Sequence, residues 1–207
     1  MLKQKMALAA SLLTLFAILG SGLVAYTYQL TRERISENER LLLLRVLNSL
    51  IPQESYDNDL FSDRIQVTQA TLLGTHEAVT IYRARKAGQP VAVALTPTAR
   101  EGYNGPIRLL VVISYDGTIM GVRVTSHQET PGIGDFIEYR RSNWILTFNG
   151  HNLNNPEDSK WKVRRDGGVF DHQTGATITP RAVVKAVHNT LLYYQSNREK
   201  IFASSTK

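Results

Sequence analysis

Ile107 to Thr125 reads IRLLVVISYDGTIMGVRVT, two runs rich in aliphatic and β-branched residues broken by Asp116-Gly117. Asp-Gly between two such runs is a strong hairpin signal, because the tight turn needs residues that tolerate positive φ. The stretch predicts an antiparallel pair, Ile107 to Tyr115 against Thr118 to Thr125, and it decides the character of the fold.

Upstream, Val79 to Arg85 alternates apolar and polar residues, Ala87-Gly88-Gln89-Pro90 carries turn chemistry, and Val91 to Leu95 resumes an apolar run. A second pair of strands is expected there. Downstream, Phe136 to Leu146 reads as a short helix and Trp161 to Arg165 as another strand. Thr179-Pro180 then opens a long helix, since threonine is a good N-cap and proline suits the first helical position. Val183, Val184, Val187, Leu191 and Tyr194 mark its buried face. Gln53 to Thr75 is polar and takes no assignment, and no internal repeat or low-complexity segment is present. The expected class is α+β, a small antiparallel sheet flanked by helices.

The N-terminal segment is of another kind. No charged residue lies between Lys5 and Arg32, and Met6 to Leu30 is rich in Leu, Ala, Ile, Phe and Val. A membrane span needs about 20 mostly apolar residues, and Tyr26 and Tyr28 sit where amphipathic rings favour the interface. The competing reading is a cleaved signal peptide, but its apolar core normally runs only about 7–15 residues. The expected plan is a tail at 1–5, a membrane helix at 6–30, a stalk helix at 31–52 ended by Pro52, and one domain at 53–207. Lys3 and Lys5 favour a cytoplasmic N-terminus, whereas Arg32, Arg34, Arg40 and Arg45 follow the span. Basic residues alone therefore leave the topology open, and the short tail favours a signal-anchor with the domain exported.

Composition narrows the chemistry. Of 207 residues, 43% are hydrophobic and 20% charged, which suits a folded domain. The net charge of +6 is scattered, without a basic helix or interleaved aromatic strip, so nucleic-acid binding is not expected. The absence of cysteine excludes disulfides, iron–sulfur ligation and thiol-linked haem. No two of the five histidines stand at helical i, i+4 spacing, so the sequence advertises no metal site, and one held by histidine and carboxylates stays open. Any redox carrier must then be organic or held without thiols.

The stretch Asp171-His172-Gln173-Thr174-Gly175-Ala176-Thr177 precedes the last long helix. It is a glycine-containing turn that delivers hydroxyls to a helix N-terminus, whose free amides and partial positive charge suit a phosphate. Read by its residues alone, a plain capping loop accounts for it better, since such caps are a common helix start.

Asp-x-x-Thr-Gly-Ala-Thr resembles the flavinylation motif of the FMN-binding domain family, in which the last threonine is esterified to the phosphate of FMN. The resemblance implies covalent FMN on Thr177, with Asp171, Thr174, Gly175 and Ala176 as recognition or packing positions. It also implies a separate, magnesium-dependent flavin transferase, because a threonine hydroxyl is a poor nucleophile without a base or metal. A second block is similar to the same domain in spacing and order: Gly102-Tyr103-Asn104-Gly105-Pro106-Ile107, the Asp116-Gly117 hairpin, and His127 to Gly134. Within it, Glu129, Thr130, Gly132 and Gly134 are expected to line the flavin, the glycines allowing close approach. His127, Tyr103 and Trp144 are further candidates for contact, each with a structural alternative, and Arg100, Arg108 and Lys162 are generic cations. The plan of one span and one domain is similar to the G subunits of Rnf (Rsx) electron-transport complexes, with the C subunits of sodium-pumping NADH:quinone reductases as relatives. That likeness implies an electron-transfer protein in the inner membrane, its domain on the periplasmic side, with other membrane and redox subunits as partners.

Overall fold

The computed structural model describes residues 2–203. The chain divides into two compact units, Met1–Val46 and Leu47–Lys207. Helix α1 runs Leu2–Leu50 and forms the whole of the first unit among the described residues. It is long and apolar enough to cross a membrane, and Met6, Phe16, Leu19, Leu23 and Val24 are exposed along it. The hydroxyls of Ser11, Thr14 and Thr27 donate to the carbonyls of Ala7, Ala10 and Leu23 at 2.8–2.9 Å. These polar groups are thus satisfied within the helix, as an environment without water requires.

The second unit is built on a six-stranded antiparallel sheet. Its strands are β1 Arg64–Val67, β2 Val79–Lys86, β3 Gln89–Leu95, β4 Thr98–Ala99, β5 Ile107–Ser114 and β6 Ile119–Ser126. Arg108 pairs with Thr98 and with Ser126, so β4 and β6 flank β5 on opposite edges. β4 carries on along the edge that β3 uses, after a break at Thr96-Pro97, where proline cannot donate to the ladder.

β5 is the central strand and is buried on both faces. Leu109, Val111 and Ile113 enter the main core together with Ile81, Val93 and Leu95. Leu110 and Val112 are buried on the other face. There a Cβ on Gly121 would lie 2.5 Å from a methyl of Leu50, in the last turn of α1, so glycine lets that side chain pack where it does without shifting. Leu47, Leu50 and Ile51 are all buried within this second unit.

A short helix, α2, spans Ala70–Leu73, and the last helix, α3, spans Ile178–Phe202. α3 covers the main core with Val183, Val184, Val187, Leu191 and Tyr194, all buried as expected. Its C-terminus is clamped from β2. Arg83 Nη1 donates to the carbonyls of Ile201 and Ala203 at 2.9 and 3.2 Å, and Arg85 Nη2 to that of Phe202 at 2.9 Å. Asp63 pairs with both arginines. Cations at the free carbonyls of a helix end are favourable.

Several expectations are corrected. The Asp116-Gly117 turn is present, but only Gly117 has positive φ (97°). Asp116 acts through its carboxylate instead, accepting from the Thr118 amide and the Ser114 hydroxyl. Those bonds hold its carboxyl below the usual range. Pro90 lies inside β3, opposite Arg85, so the turn before it is only Ala87-Gly88. Phe136 to Leu146 is not one helix but two 3-10 turns, Asp135–Ile137 and Trp144–Phe148. Between them the Ser142 hydroxyl donates to the Phe136 carbonyl and accepts from the Trp144 amide, ending the first turn and starting the second. Trp161 to Arg165 forms no strand, only a bridge from Val163 to Phe170 and a 3-10 turn at Arg164–Asp166. Finally, α3 begins at Ile178 with Thr177 at the N-cap, not Thr179. Pro180 still fits because the first-turn amides have no helical partner.

The segment from Gly134 to Ala176 thus has little regular structure. Stacked rings hold it: Phe148 lies 4.7 Å from Phe170, Trp161 5.1 Å from Phe170, and His188 of α3 stacks on Trp161 at 5.2 Å.

Candidate functional site

The site forms where three loops meet the start of α3. Gln173 to Ala176 is a tight turn closed by the Ala176 amide on the Gln173 carbonyl at 3.0 Å, with Gly175 at φ +86°. The turn sets Thr177 at the N-cap with φ −89° and ψ −26°, and its side chain makes no capping bond. The capping-loop reading therefore fails for this hydroxyl, which is free of its own helix. Its partner is Arg165, whose Nη1 donates to Thr177 Oγ1 at 3.3 Å.

The facing wall is Thr130 to Gly134, folded by the Gly134 amide on the Thr130 carbonyl at 2.8 Å. Glu129 anchors it. Only 4% exposed, its carboxylate accepts the Asn104 amide at 3.0 Å and the Thr179 hydroxyl from the first turn of α3. A Cβ on Gly134 would lie 2.9 Å from the Glu129 Cβ, and one on Gly102 would lie 2.9 Å from its Oε1. Both glycines are needed so that the loops can close on this carboxylate. Asn104 Nδ2 also donates to Thr130 Oγ1 at 3.0 Å. One buried acid thus ties these loops to the helix whose N-cap position Thr177 holds.

Together these walls enclose an open cavity of about 330 Å³, within the range of small-molecule sites, roughly 300–1,000 Å³. Thr177, Gly175, Ala176, Glu129, Thr130 and Gly134 all line it, joined by Tyr103, Ile133, Ile178 and Thr179. Gly132 stands off the cavity at the loop tip, its amide donating to Asp135 Oδ1 at 2.8 Å. Thr174 is exposed on the outer side of the turn. Asp171 pairs with Arg164 at 2.8 Å, and its carbonyl accepts the Trp144 indole N–H at 2.8 Å. Trp144 is buried between Phe136 and Phe148. His127 braces the loop, its Nε2 2.6 Å from Glu138 and its Nδ1 accepting the Glu129 amide. Arg100 donates to the Gly74 carbonyl at 2.6 Å, Arg108 lies 3.9 Å from Glu77, and Lys162 is exposed; none of the three lines the cavity. No cluster of His, Asp or Glu suited to a metal exists among the described residues.

Sequence reading missed Arg165 and Ile178 and gave Thr179 only a capping role, while Ile133 fell within the loop expected to line the flavin without being singled out. The apolar pair carries no motif signal, and the other two depend on which groups meet across loops.

Comparison with known proteins places these walls in a family. Residues 102–192 match the model of the FMN-binding domain, and residues 1–50 match the RnfG N-terminal region. The G subunit of the ion-translocating oxidoreductase complex of Pseudoalteromonas atlantica is 50% identical over 206 residues, 100% of this chain and 96% of that protein. The chain belongs to the family of these G subunits. Its counterpart in Vibrio cholerae is 47% identical, covering 92% of this chain and 90% of that one. Among solved structures, NqrC of Shewanella oneidensis is 24% identical over 72% of this chain and 76% of its own, with a TM-score of 0.48. The matched FMN-binding domain takes in β5, β6, the Glu129 loop and most of α3.

The residues present fit an FMN phosphate. The Thr177 hydroxyl, which bonds nothing in its own helix, meets Arg165 at the start of a 25-residue helix, while Tyr103, Ile133 and Ile178 offer apolar surface in the cavity that Thr177 also lines.

Proposed function

We propose that this chain is an electron-carrying component of a membrane-bound, ion-translocating oxidoreductase complex, with FMN held through a phosphoester to Thr177. The observation that carries the reading is the N-cap threonine whose hydroxyl leaves its own helix uncapped and opens into the cavity. Bound FMN supplies the redox chemistry, and the protein fixes its place and surroundings. The chain's own residues do the holding. Arg165 and the α3 amides meet the phosphate, Glu129 sets the loops, and Tyr103, Ile133 and Ile178 form the apolar walls.

In this reading attachment needs a partner, since among the described residues no histidine or carboxylate bonds the Thr177 hydroxyl to activate it. In this reading a flavin transferase uses FAD: the Thr177 Oγ–P bond forms, the pyrophosphate bond breaks, AMP leaves and a proton is released. The family resemblance further suggests electron flow between ferredoxin and NAD coupled to ion movement, with the domain on the periplasmic side of the inner membrane. Moving one charge against 100 mV takes about 2.3 kcal/mol, so such coupling is energetically substantial. The apolar stretch of α1 carries no charged residue between Lys5 and Arg32, which supports an ion path formed by other subunits.

The test is to express the full chain in a host containing a flavin transferase and look for flavin fluorescence in a denaturing gel. Wild type is expected to fluoresce and to gain the mass of FMN less water, and Thr177→Val to be dark. A dark wild-type band, beside a control substrate that is modified, sinks the covalent reading.

A further inference from the structure

We propose that Arg165 is the residue that holds the flavin phosphate at Thr177, both during attachment and afterwards; this rests on the covalent-FMN reading above. Three arginines stand around the approach to α3. Two are neutralised: Arg164 Nε lies 2.8 Å from Asp171, and Arg181 grips Asp166 through Nε and Nη2 at 2.6 and 2.5 Å. Arg165 has no carboxylate within ion-pair distance among the described residues, and its guanidinium donates to Thr177 Oγ1.

The backbone under Arg165 is fixed. The Arg164 amide donates to the Phe170 carbonyl at 2.7 Å, Asp166 to Val163 at 2.8 Å and Gly168 to Val163 at 3.1 Å. A Cβ on Gly168 would lie 1.9 Å from the Lys162 carbonyl oxygen, so the loop closes this tightly only with glycine there. A flexible cation on a mobile loop would be a generic surface charge. This one is presented from a closed turn to a single hydroxyl.

A guanidinium that feels Asp166 only through space and makes its hydrogen bond to a hydroxyl suits the monoanionic phosphodiester that the hydroxyl would carry. Guanidinium donors match phosphate oxygens in geometry and charge. As the Oγ–P bond forms and the pyrophosphate bond breaks, negative charge stays on the phosphoryl oxygens, and Arg165 meets it there. Nothing is oxidised or reduced in the step. Asp166 and Asp171 are each paired with another arginine, Arg181 and Arg164.

The test compares full-length wild type with Arg165→Gln and Arg165→Lys as substrates of a flavin transferase with FAD and magnesium, following flavin fluorescence against chain concentration. Arg165→Gln is expected to lower the maximal rate roughly tenfold, the size of losing one charge-assisted hydrogen bond, with the half-saturating chain concentration unchanged. Arg165→Lys should recover most of the rate. At saturating chain, added salt should slow wild type and leave Arg165→Gln nearly flat, while the melting temperatures of the unmodified proteins coincide. Arg165→Gln modified at the wild-type rate overturns the proposal. So does a deficit confined to the half-saturating concentration, which would assign Arg165 to docking the transferase. A wild-type chain that takes no flavin overturns the covalent reading itself and is recognised before any variant is compared.

Discussion

Thr174 and Thr177 lie on either side of the Gly175 turn, the first exposed on its outer side and the second on the cavity wall at the head of α3. Position, not chemistry, separates two identical hydroxyls. Thr174→Val is therefore expected to keep full flavin fluorescence under conditions where Thr177→Val is dark, and loss of flavin in both would contradict the role given to the cavity. Glu129 makes a different prediction. Its buried carboxylate accepts from an amide and a hydroxyl, and Glu129→Gln would turn a donor toward one of them. The expected cost is about 2 kcal/mol, read as a lower denaturation midpoint together with slower flavin attachment. At this scale the turn was legible in Gly175, whereas Thr177 was singled out by the family resemblance alone. Arg165 was not legible. Which of several arginines lacks a carboxylate depends on pairings such as Arg164 with Asp171 that cross the loops in space.

Elements with local causes were read well and those with tertiary causes were not. The β5–β6 hairpin follows from its own aliphatic runs and Gly117. The two 3-10 turns at 135–148 owe their ends to Ser142, and the loop near Trp161 is shaped by ring stacking, neither of which leaves a periodic trace. The loop supporting Arg165 makes a sharp prediction: Gly168→Ala, forced against the Lys162 carbonyl, should displace the loop and depress flavin attachment more than it lowers the melting temperature. The clamp on the far end of α3 should behave in the opposite way. Arg83 is 5% exposed and paired with Asp63, and Arg83→Ala is expected to cost about 3 kcal/mol by leaving that acid with less compensation. Urea denaturation would read this loss, and folded protein should still accept flavin. His188 supplies a pH test. Burial against Trp161 holds its pKa below the ordinary 6.5, opposed by Asp158, whose carboxylate is 2.9 Å away though poorly aligned for a hydrogen bond. The unfolded chain then binds more protons than the folded one below that value, so stability present above it is lost as the pH falls. His188→Gln should flatten the slope of denaturation midpoint against pH in that window.

At the scale of the whole chain, the second unit starts at Leu47, inside α1. Leu47, Leu50 and Ile51 are buried in it, and each contributes about 2–3 kcal/mol on burial. Together they are a large share of an ordinary domain stability of roughly 5–15 kcal/mol. A chain beginning at Leu47 is expected to fold and stay in the aqueous phase of a detergent partition, with the full chain in the detergent phase. A chain beginning at Pro52 should unfold at markedly lower urea. Equal midpoints for the two truncations would remove the last turn of α1 from the core. Pro52 marked the end of this helix well, but the apolar residues before it carried no sign of where one unit stops and the other starts, since leucine serves lipid and core alike.

The uncapped Thr177 has a consequence for how such a protein matures. Esterifying it breaks no bond within α3 and disturbs only the contact with Arg165. Chains can finish folding and wait in reserve for their cofactor. Under the proposed attachment, the fraction of working copies becomes a quantity the cell can adjust through flavin supply and transferase level, independently of how much of the polypeptide it makes.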